Sequence, residues 1–253
     1  IILLTTYYLL LTILLTTYCF PAFQDTGWGA RAGGMGNTFT AIADDASASL
    51  WNPAGIGQIE LIETSFMYNK LFMGIEDVNL TQMFGALVYP TKSGAFGFTI
   101  TDFSFWGYYK ENTFLASYAY NLAEACSLGI NLKYLTHSYI LDNSPDSMKD
   151  PVFKDKTSAG GITPDIGILT KFWRVSLGIS VLNILQPDIG LKTEDRVPMI
   201  IKFGSAYNLG NLLFLEKIVP AVDVSYRKPK YNASAIKISG GIEMWYKEKL
   251  SLR

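Results

Sequence analysis

The sequence predicts an all-β protein, a transmembrane antiparallel up-and-down β-barrel preceded by a small N-terminal plug. Three observations support this fold class. Hydrophobic residues make up 49% of the chain and charged residues only 17%, a low charge content for a soluble protein. After about residue 59, apolar and polar residues alternate with a period of two. The connections between these alternating stretches are long and short in turn, as in outer-membrane barrels, with one exception late in the chain.

The composition also excludes several functions. The 21 basic and 22 acidic residues nearly cancel to a net charge of -1, so no positively charged surface for nucleic acid is expected. The two cysteines, Cys19 and Cys126, cannot form a disulfide framework, and the single histidine, His137, leaves the usual zinc ligand sets incomplete. We therefore expect no metal, no cofactor and no nucleic-acid partner.

Residues 1–24 are predicted to be a signal peptide. They carry no charge before Asp25 and are apolar enough to enter a bilayer as a helix. Pro21 and Ala22, followed by a polar shift, are typical of the approach to a cleavage site, and no basic stop-transfer flank follows. A membrane anchor is the alternative. In either case the rest of the chain is expected to leave the cytoplasm.

Residues 25–58, which we call the N-terminal segment, are predicted to form a compact plug rather than a strand. Its glycines are expected to allow a positive φ or a close backbone approach, its adjacent carboxylates to cap backbone donors, and its Asn-Pro pair to form a turn. The candidate plug residues are Gly33, Gly34, Gly36, Asp44, Asp45, Asn52, Pro53 and Gly55. A phosphate-binding loop is the alternative, but no strand precedes the glycines and the Gly-Lys-Ser/Thr ending is missing.

Residues 59–253 are predicted to form the barrel, with about eleven strands of the length that a tilted strand needs to cross a bilayer. The alternation assigns six apolar residues to the lipid-facing side: Leu128, Ile130, Leu177, Ile179, Ile201 and Val224. It assigns polar residues to the lumen: Asn131, Lys133, Ser176, Lys202, Asp223, Lys237 and Glu243. An arginine is expected to be much more costly at Ile179 than at its lumen-facing neighbour Ser180.

The connections favour this barrel over the alternative fold, a soluble β-sandwich whose apolar faces point inward. Longer connections are expected near residues 70–79, 103–111, 140–162 and 182–197, and shorter ones near residues 90–94, 122–125 and 173. Outer-membrane barrels keep the turns short on the periplasmic side and lengthen the loops on the outer side. The longest connection, polar and proline-containing, is therefore predicted to be an external loop.

A family resemblance rests on four motifs of the N-terminal segment: Gly29-Ala30-Arg31-Ala32, Gly34-Met35-Gly36, Asp44-Asp45-Ala46 and Trp51-Asn52-Pro53-Ala54-Gly55. They resemble the N-terminal signature of the PorV/PorQ-like proteins, which belong to the FadL-type superfamily of outer-membrane barrels. Later stretches around Gly178, Phe203 and Gly241 are also similar to that family. The resemblance implies a fourteen-stranded barrel with the N-terminal segment folded into the lumen. About three strands are therefore expected beyond Arg253, and the chain is expected to be a fragment.

The same resemblance implies a location in the outer membrane of a Gram-negative-type bacterium and one of two roles. PorV-like members serve the type IX secretion system by receiving exported proteins and passing them on, whereas FadL-type members carry hydrophobic small molecules. We therefore expect transport or protein secretion. The expected partners are outer-membrane lipid together with exported proteins, secretion-system components or hydrophobic small molecules. A soluble secreted β-sandwich that serves as a binding module is the remaining alternative.

Enzymatic activity is not expected. His137 lies on the lumen-facing side of its strand with Lys133, whereas Ser138 points to the opposite side, so His137 cannot activate Ser138 as a nucleophile. A histidine in water at the rim of the barrel is the simpler interpretation.

Overall fold

The computed structural model describes residues 22–23, 27–75, 79–141, 149–211, 215–228, 235–247 and 250–253. The predicted signal peptide lies almost entirely outside these residues, and so does part of the longest predicted loop. Among the described residues, no helix is long and apolar enough to cross a membrane.

The protein is built on one antiparallel sheet of eleven strands that lie side by side in chain order. The strands are β1 (Glu63–Leu71), β2 (Leu80–Thr91), β3 (Gly94–Phe105), β4 (Tyr109–Ala123), β5 (Cys126–Tyr139), β6 (Ser158–Phe172), β7 (Val175–Leu182), β8 (Met199–Tyr207), β9 (Lys217–Lys228), β10 (Ala235–Tyr246) and β11 (Leu250–Leu252). This sheet confirms the predicted strand number and the up-and-down order. β1 and β11 form its two edges, and closure between them is not seen in the described residues.

The strand register places the exposed hydrophobic side chains on one face of the sheet and the buried positions on the other. Leu87 lies opposite Phe98, and Phe98 lies opposite Ala116, so these side chains share one face of three strands. The exposed large hydrophobic side chains of the central strands lie on this face, which we call the outer face. The opposite face, which we call the inner face, contains the buried positions and contacts the N-terminal segment. The six predicted lipid-facing residues all lie on the outer face.

The connections follow the predicted alternation of long and short as far as β8, with one correction. The late exception is the β8–β9 connection, which covers residues 208–216 on the side of the short turns. The connection between β3 and β4 covers only residues 106–108, because β3 extends to Phe105 and β4 begins at Tyr109, and these two residues pair. The end of the sheet with the β2–β3, β4–β5 and β6–β7 connections is the short-turn end. The opposite end contains the connections of residues 140–157 and 183–198, and we call it the long-loop end.

The N-terminal segment forms three short helices: α1 (Ala30–Gly34), a 3₁₀ helix over Ala46–Leu50 and a second 3₁₀ helix over Pro53–Gln58. Local sequence explains the two 3₁₀ helices. Asp45 accepts a hydrogen bond from the Ser47 backbone N–H at 2.9 Å, and Asn52 accepts one from the Ala54 N–H at 3.1 Å, so each 3₁₀ helix has a side-chain N-cap. Pro53 occupies the start of the second one, where its missing N–H costs nothing.

The sheet curls around the N-terminal segment. The two 3₁₀ helices contact β1 to β6, Thr40 meets β7 and β8, Phe39 bonds to β9 and Arg31 bonds to β10. Ten strands laid flat would span about 40 Å, far more than a compact segment of this length can cover. The core therefore lies between the segment and the inner face. Its largest fully buried hydrophobic side chains include Trp51, Phe39, Met35 and Ile56.

Candidate functional site

The contact between the N-terminal segment and the inner face is the candidate functional site. Glycines on five strands leave room for the segment at this contact. A Cβ atom added at any of them would overlap backbone or side-chain atoms of the segment or of a residue bonded to it. The glycines are Gly129, Gly167, Gly178, Gly204 and Gly241. At Gly178 the overlap would be with the backbone of Thr40, and at Gly241 with the backbone of Met35. The segment is thus seated backbone against backbone on the inner face.

An ion-pair network fastens the start of the N-terminal segment to β10. Arg31 binds both carboxylate oxygens of Glu243, with Nε–Oε1 and Nη2–Oε2 distances of 2.9 Å, and its Nη1 binds Asp44 at 2.5 Å. Glu243 is 1% exposed and also accepts a hydrogen bond from Arg253 at 2.6 Å. Burial alone would lower the pKa of Arg31. The hydrogen bond to Glu243 and the charges of Asp44 and Glu243 outweigh burial and raise this pKa above its ordinary value. Arg31 therefore stays a cation.

Two further inner-face contacts hold the middle of the segment. The buried carboxylate of Asp223 on β9 accepts hydrogen bonds from the backbone N–H groups of Phe39 at 3.0 Å and Thr40 at 2.9 Å. The Asn52 side-chain amide donates to the carbonyl oxygens of Thr40 and of Ile168 on β6, both at 3.0 Å. These bonds satisfy backbone groups that the segment could not pair by itself.

A buried polar cluster lies beside the segment toward the long-loop end. Lys133 pairs with Asp165 at 2.9 Å and donates to the Asn183 side-chain oxygen at 2.6 Å. Asn131 donates to Asp165 at 2.9 Å and to the carbonyl oxygen of Ser49 at 2.8 Å. Two strands, β5 and β6, therefore meet the segment and the β7–β8 connection in one network of charged and amide groups.

A cavity of about 80 Å³ lies next to this cluster. Its apolar wall includes Phe23, which precedes the segment, Trp28 and Leu50 of the segment, and Phe103 of β3. It also includes Lys133, Asp165 and Glu111, so charged groups face its interior. The Glu111 carboxylate accepts hydrogen bonds from the Phe23 backbone N–H at 3.1 Å and the Tyr109 hydroxyl at 2.7 Å.

The sequence matches the model of the family described as type IX secretion system membrane protein PorP/SprF over residues 46–250. The chain belongs to this family. It is therefore a membrane protein of the type IX secretion system, and the predicted link to that system is confirmed at this level. The matching family model is that of PorP/SprF, while the resemblance pointed to the PorV/PorQ branch.

Among solved structures, the PorP/SprF-family chain is similar to the CymD monoaromatic hydrocarbon channel. The TM-score is 0.56 at 14% sequence identity, and the match covers 89% of this chain and 82% of the channel chain. This likeness concerns the fold, and it supports the predicted FadL-type architecture. Among curated proteins, none matches the chain.

The structure places the candidate plug residues of this family member in different roles. Asp44 and Asp45 bond to Arg31, and Asp45 also caps the first 3₁₀ helix. Gly36 has a φ of 63° and lies against the carbonyl of Gly240, while Gly34 lies against Arg253. Gly55 packs on the backbone of Ala43. Gly33 departs from the expectation, because it lies in α1 without a positive φ and has no neighbour within 4 Å of an added Cβ among the described residues.

The predicted lumen-facing residues also differ from one another. Asn131, Lys133, Asp223 and Glu243 bond to the segment or to the polar cluster, as described above. Lys202 lies 4.4 Å from the centre of the Trp51 ring, a cation–π contact inside the core. Ser176 is half-buried near the short-turn end. Lys237 is exposed and lies six residues from Glu243 along β10, about 20 Å away at 3.3 Å per residue.

Two sequence-based expectations need correction. Ser180 is buried, and its hydroxyl donates to the Trp51 carbonyl oxygen at 2.9 Å, so an arginine there would collide with the segment and would not be tolerated. His137 is not a histidine in water at the rim. It is 5% exposed, its Nε2 lies 2.7 Å from the Ile189 carbonyl oxygen, and it packs against the rings of Tyr109 and Tyr139. His137 thus fastens the β7–β8 connection over the inner face.

Sequence reasoning missed the partners in these contacts. Asp165 stands on the polar side of β6, opposite Asn131, and this parity could have marked it as an inner-face residue. Asn183 comes directly after β7, and no local signal identifies it as the partner of Lys133. No role was predicted from the sequence for the inner-face glycines. Their recurrence at the polar positions of five strands was the available signal of a close backbone approach.

Proposed function

We propose that this PorP/SprF-family chain is an outer-membrane β-barrel of PorV/PorQ type whose N-terminal segment plugs the lumen, and that it works in protein secretion. In this proposal it receives exported proteins or other components of the type IX system rather than conducting solutes. The supporting observation is that the segment packs closely against glycines of the inner face and is held to strands between β5 and β10 by buried hydrogen bonds and an ion pair. A lumen filled in this way favours a docking role over an open pore.

The outer face supports the membrane location. Its exposed hydrophobic side chains continue across neighbouring strands, for example Phe98, Phe114, Ile130, Ile166 and Ile179. A soluble monomer rarely exposes so wide a continuous apolar surface. Lipid would cover it in a barrel, whose outer band is apolar between two interfaces. A sandwich would bury this face against a second sheet, whereas all eleven strands here belong to a single sheet.

A channel for hydrophobic small molecules is the second candidate. The fold of the CymD monoaromatic hydrocarbon channel and the cavity beside Phe23 and Trp28 favour it. The charged wall of that cavity argues against it, because an apolar ligand would leave Lys133, Asp165 and Glu111 without water and add no hydrogen bond. At about 80 Å³ the cavity is also well below the ~300 Å³ that a ligand pocket usually offers.

The two roles separate in a gene deletion experiment in the source bacterium. We expect the deletion to abolish release of type IX cargo into the medium, and a plasmid copy to restore it, while uptake of a radiolabelled aromatic hydrocarbon stays unchanged. Membrane fractionation of the complemented strain should place the protein in the outer membrane. Normal cargo release together with reduced hydrocarbon uptake would show that the channel role is right and the secretion role wrong.

A further inference from the structure

A second cavity, of about 130 Å³, lies on the other side of the N-terminal segment, at the short-turn end. Inner-face residues of five strands line it, including Lys171 at the end of β6, Ser176 on β7 and Lys217 at the start of β9. Arg174 of the β6–β7 turn and Asn208, directly after β8, complete this wall, and Arg31 and Asp44 close it from the segment. Lys171 is six residues along β6 from Asp165, which lines the first cavity, so these two lining residues are about 20 Å apart at 3.3 Å per residue.

The positive charges around this cavity exceed the negative ones. Four cationic side chains line it, Arg31, Lys171, Arg174 and Lys217, against the two carboxylates of Asp44 and Glu243. Arg31 engages both of these carboxylates, and Glu243 also binds Arg253. The negative charge is therefore already matched by Arg31 and Arg253, and three cations are left over.

Within the part of the chain that the structure describes, the three remaining cations form no ion pair. Arg174 donates to the carbonyl oxygen of Leu209 at 3.0 Å and lies over the Trp173 ring, both uncharged partners. Lys171 and Lys217 are close enough for their positive charges to repel one another. The Asp44 carboxylate attracts Lys171 electrostatically, but the ion pair that Asp44 forms is with Arg31. Like charges brought together at a cavity cost free energy unless an anion is present between them.

The same wall also contains neutral hydrogen-bond donors that suit an anionic ligand. The Asn208 side-chain oxygen accepts a hydrogen bond from the Gly210 N–H at 2.9 Å, which leaves the amide NH₂ of Asn208 as a donor. The half-buried Ser176 hydroxyl lines the same cavity. The wall thus offers several donors to a ligand with several acceptor oxygens.

We propose that this cavity binds a phosphate group, held by Lys171, Arg174 and Lys217 with Ser176 and Asn208 as neutral donors. A phosphate is preferred to a carboxylate because its tetrahedral oxygens can accept hydrogen bonds from several of these cations and neutral donors at once, whereas a carboxylate has only two oxygens in one plane. The cavity is small for a drug-sized ligand, so it takes a group of this size and not a large molecule. The phosphate source is either a soluble periplasmic phosphate or a phospholipid headgroup. The proposal does not depend on the role in secretion.

The test uses the full chain purified in a non-ionic detergent. Titration with sodium phosphate, followed by calorimetry and by thermal shift, should show saturable binding that sodium chloride at matched ionic strength does not reproduce. Lys171→Gln and Lys217→Gln should each weaken binding by about tenfold, the size expected for a lost charge-assisted hydrogen bond. Lys237→Gln is the matched control, because it removes the same charge from the inner face far from the cavity.

A second arm distinguishes the two sources. Native mass spectrometry of protein extracted from its membrane should detect a bound phospholipid that the Lys171→Gln and Lys217→Gln variants lose, if the source is a headgroup. Binding of inorganic phosphate without retained lipid identifies a soluble source. The proposal is overturned if both lysine variants bind phosphate and lipid like the Lys237→Gln control. A heat-modifiable gel shift verifies that each variant is folded, so loss of binding cannot be mistaken for unfolding.

Discussion

Arg31 and Glu243 form a two-bonded ion pair across 212 positions of the chain, with both N–O distances at 2.9 Å. Glu243 lies on β10 and Arg31 lies in α1. The pair therefore joins the N-terminal segment to the C-terminal side of the sheet. Arg253 binds the same carboxylate, so one buried anion organises two cations.

Removing either partner of this ion pair should therefore destabilise the protein strongly. Arg31→Met leaves Glu243 with Arg253 alone, and Glu243→Gln leaves both arginines short of a charge partner. Breaking one side of a buried pair typically costs about 3–5 kcal/mol. We expect a loss near the lower end, since Arg31 is partly exposed, measured as the urea midpoint of unfolding in lipid vesicles. Glu124→Gln, at an exposed turn position, should change stability by less than about 0.5 kcal/mol. Equal effects of Glu124→Gln and Glu243→Gln would contradict this role.

The adjacent glycines of β10 provide a matched test of the seating of the segment. An added Cβ at Gly241 would overlap the Met35 backbone, whereas at Gly240 its nearest neighbour is 3.9 Å away. Gly241→Ala should therefore push the segment away from the wall at a cost of about 1–3 kcal/mol, and Gly240→Ala should have little effect. Planar-bilayer recordings should show ion conductance for Gly241→Ala and almost none for wild type or Gly240→Ala. Identical recordings from both variants would show that the segment does not close the lumen.

The lipid contact of the outer face can be tested at Ile179. Arginine there should cost about 2–4 kcal/mol if the residue faces the middle of a bilayer. Ser180 is not a suitable control because it is buried against Trp51. Ser225, half-buried on the inner face of β9, is a better position for the control arginine. Unfolding experiments in lipid vesicles should show a clearly larger loss of stability for Ile179→Arg than for Ser225→Arg. A larger loss for Ser225→Arg would indicate that the inner face is buried and that the outer face contacts water.

The β7–β8 connection should open at acidic pH. Backbone hydrogen bonds from Gly190 and Asp195, both 2.9 Å long, lower the pKa of Asp188 below its ordinary value. A lowered pKa in the folded state means that this carboxylate stabilises the turn above about pH 4, the ordinary aspartate pKa, and that the stabilisation is lost as the pH falls further. Hydrogen exchange at the Gly190 and Asp195 amides should accelerate below pH 4 beyond the intrinsic pH effect. In Asp188→Asn this extra pH dependence should disappear, and its persistence would point to another titrating group.

Much of the fold was predictable because its signals are local. A period of two in side-chain polarity requires only neighbouring residues, so the eleven strands and the outer position of Leu128, Ile179 and Val224 follow from the sequence. The N-cap at Asp45 and the turn at Asn52-Pro53 have the same local origin, since each bond spans two residues. The family resemblance likewise lies in contiguous motifs.

Only the tertiary structure decided which inner-face residues meet. Parity shows that Lys133, Asp165 and Glu243 face inward, but not that Lys133 finds Asp165 and Asn183, or that Glu243 finds Arg31. It also could not show that Ser180 faces packed protein instead of water, or that Lys171, Arg174 and Lys217 surround one cavity. The physical reason is that the curl of the sheet and the seating of the segment bring together residues up to 212 positions apart. Such long-range contacts depend on how all the strands pack at once, and no short stretch of sequence contains them.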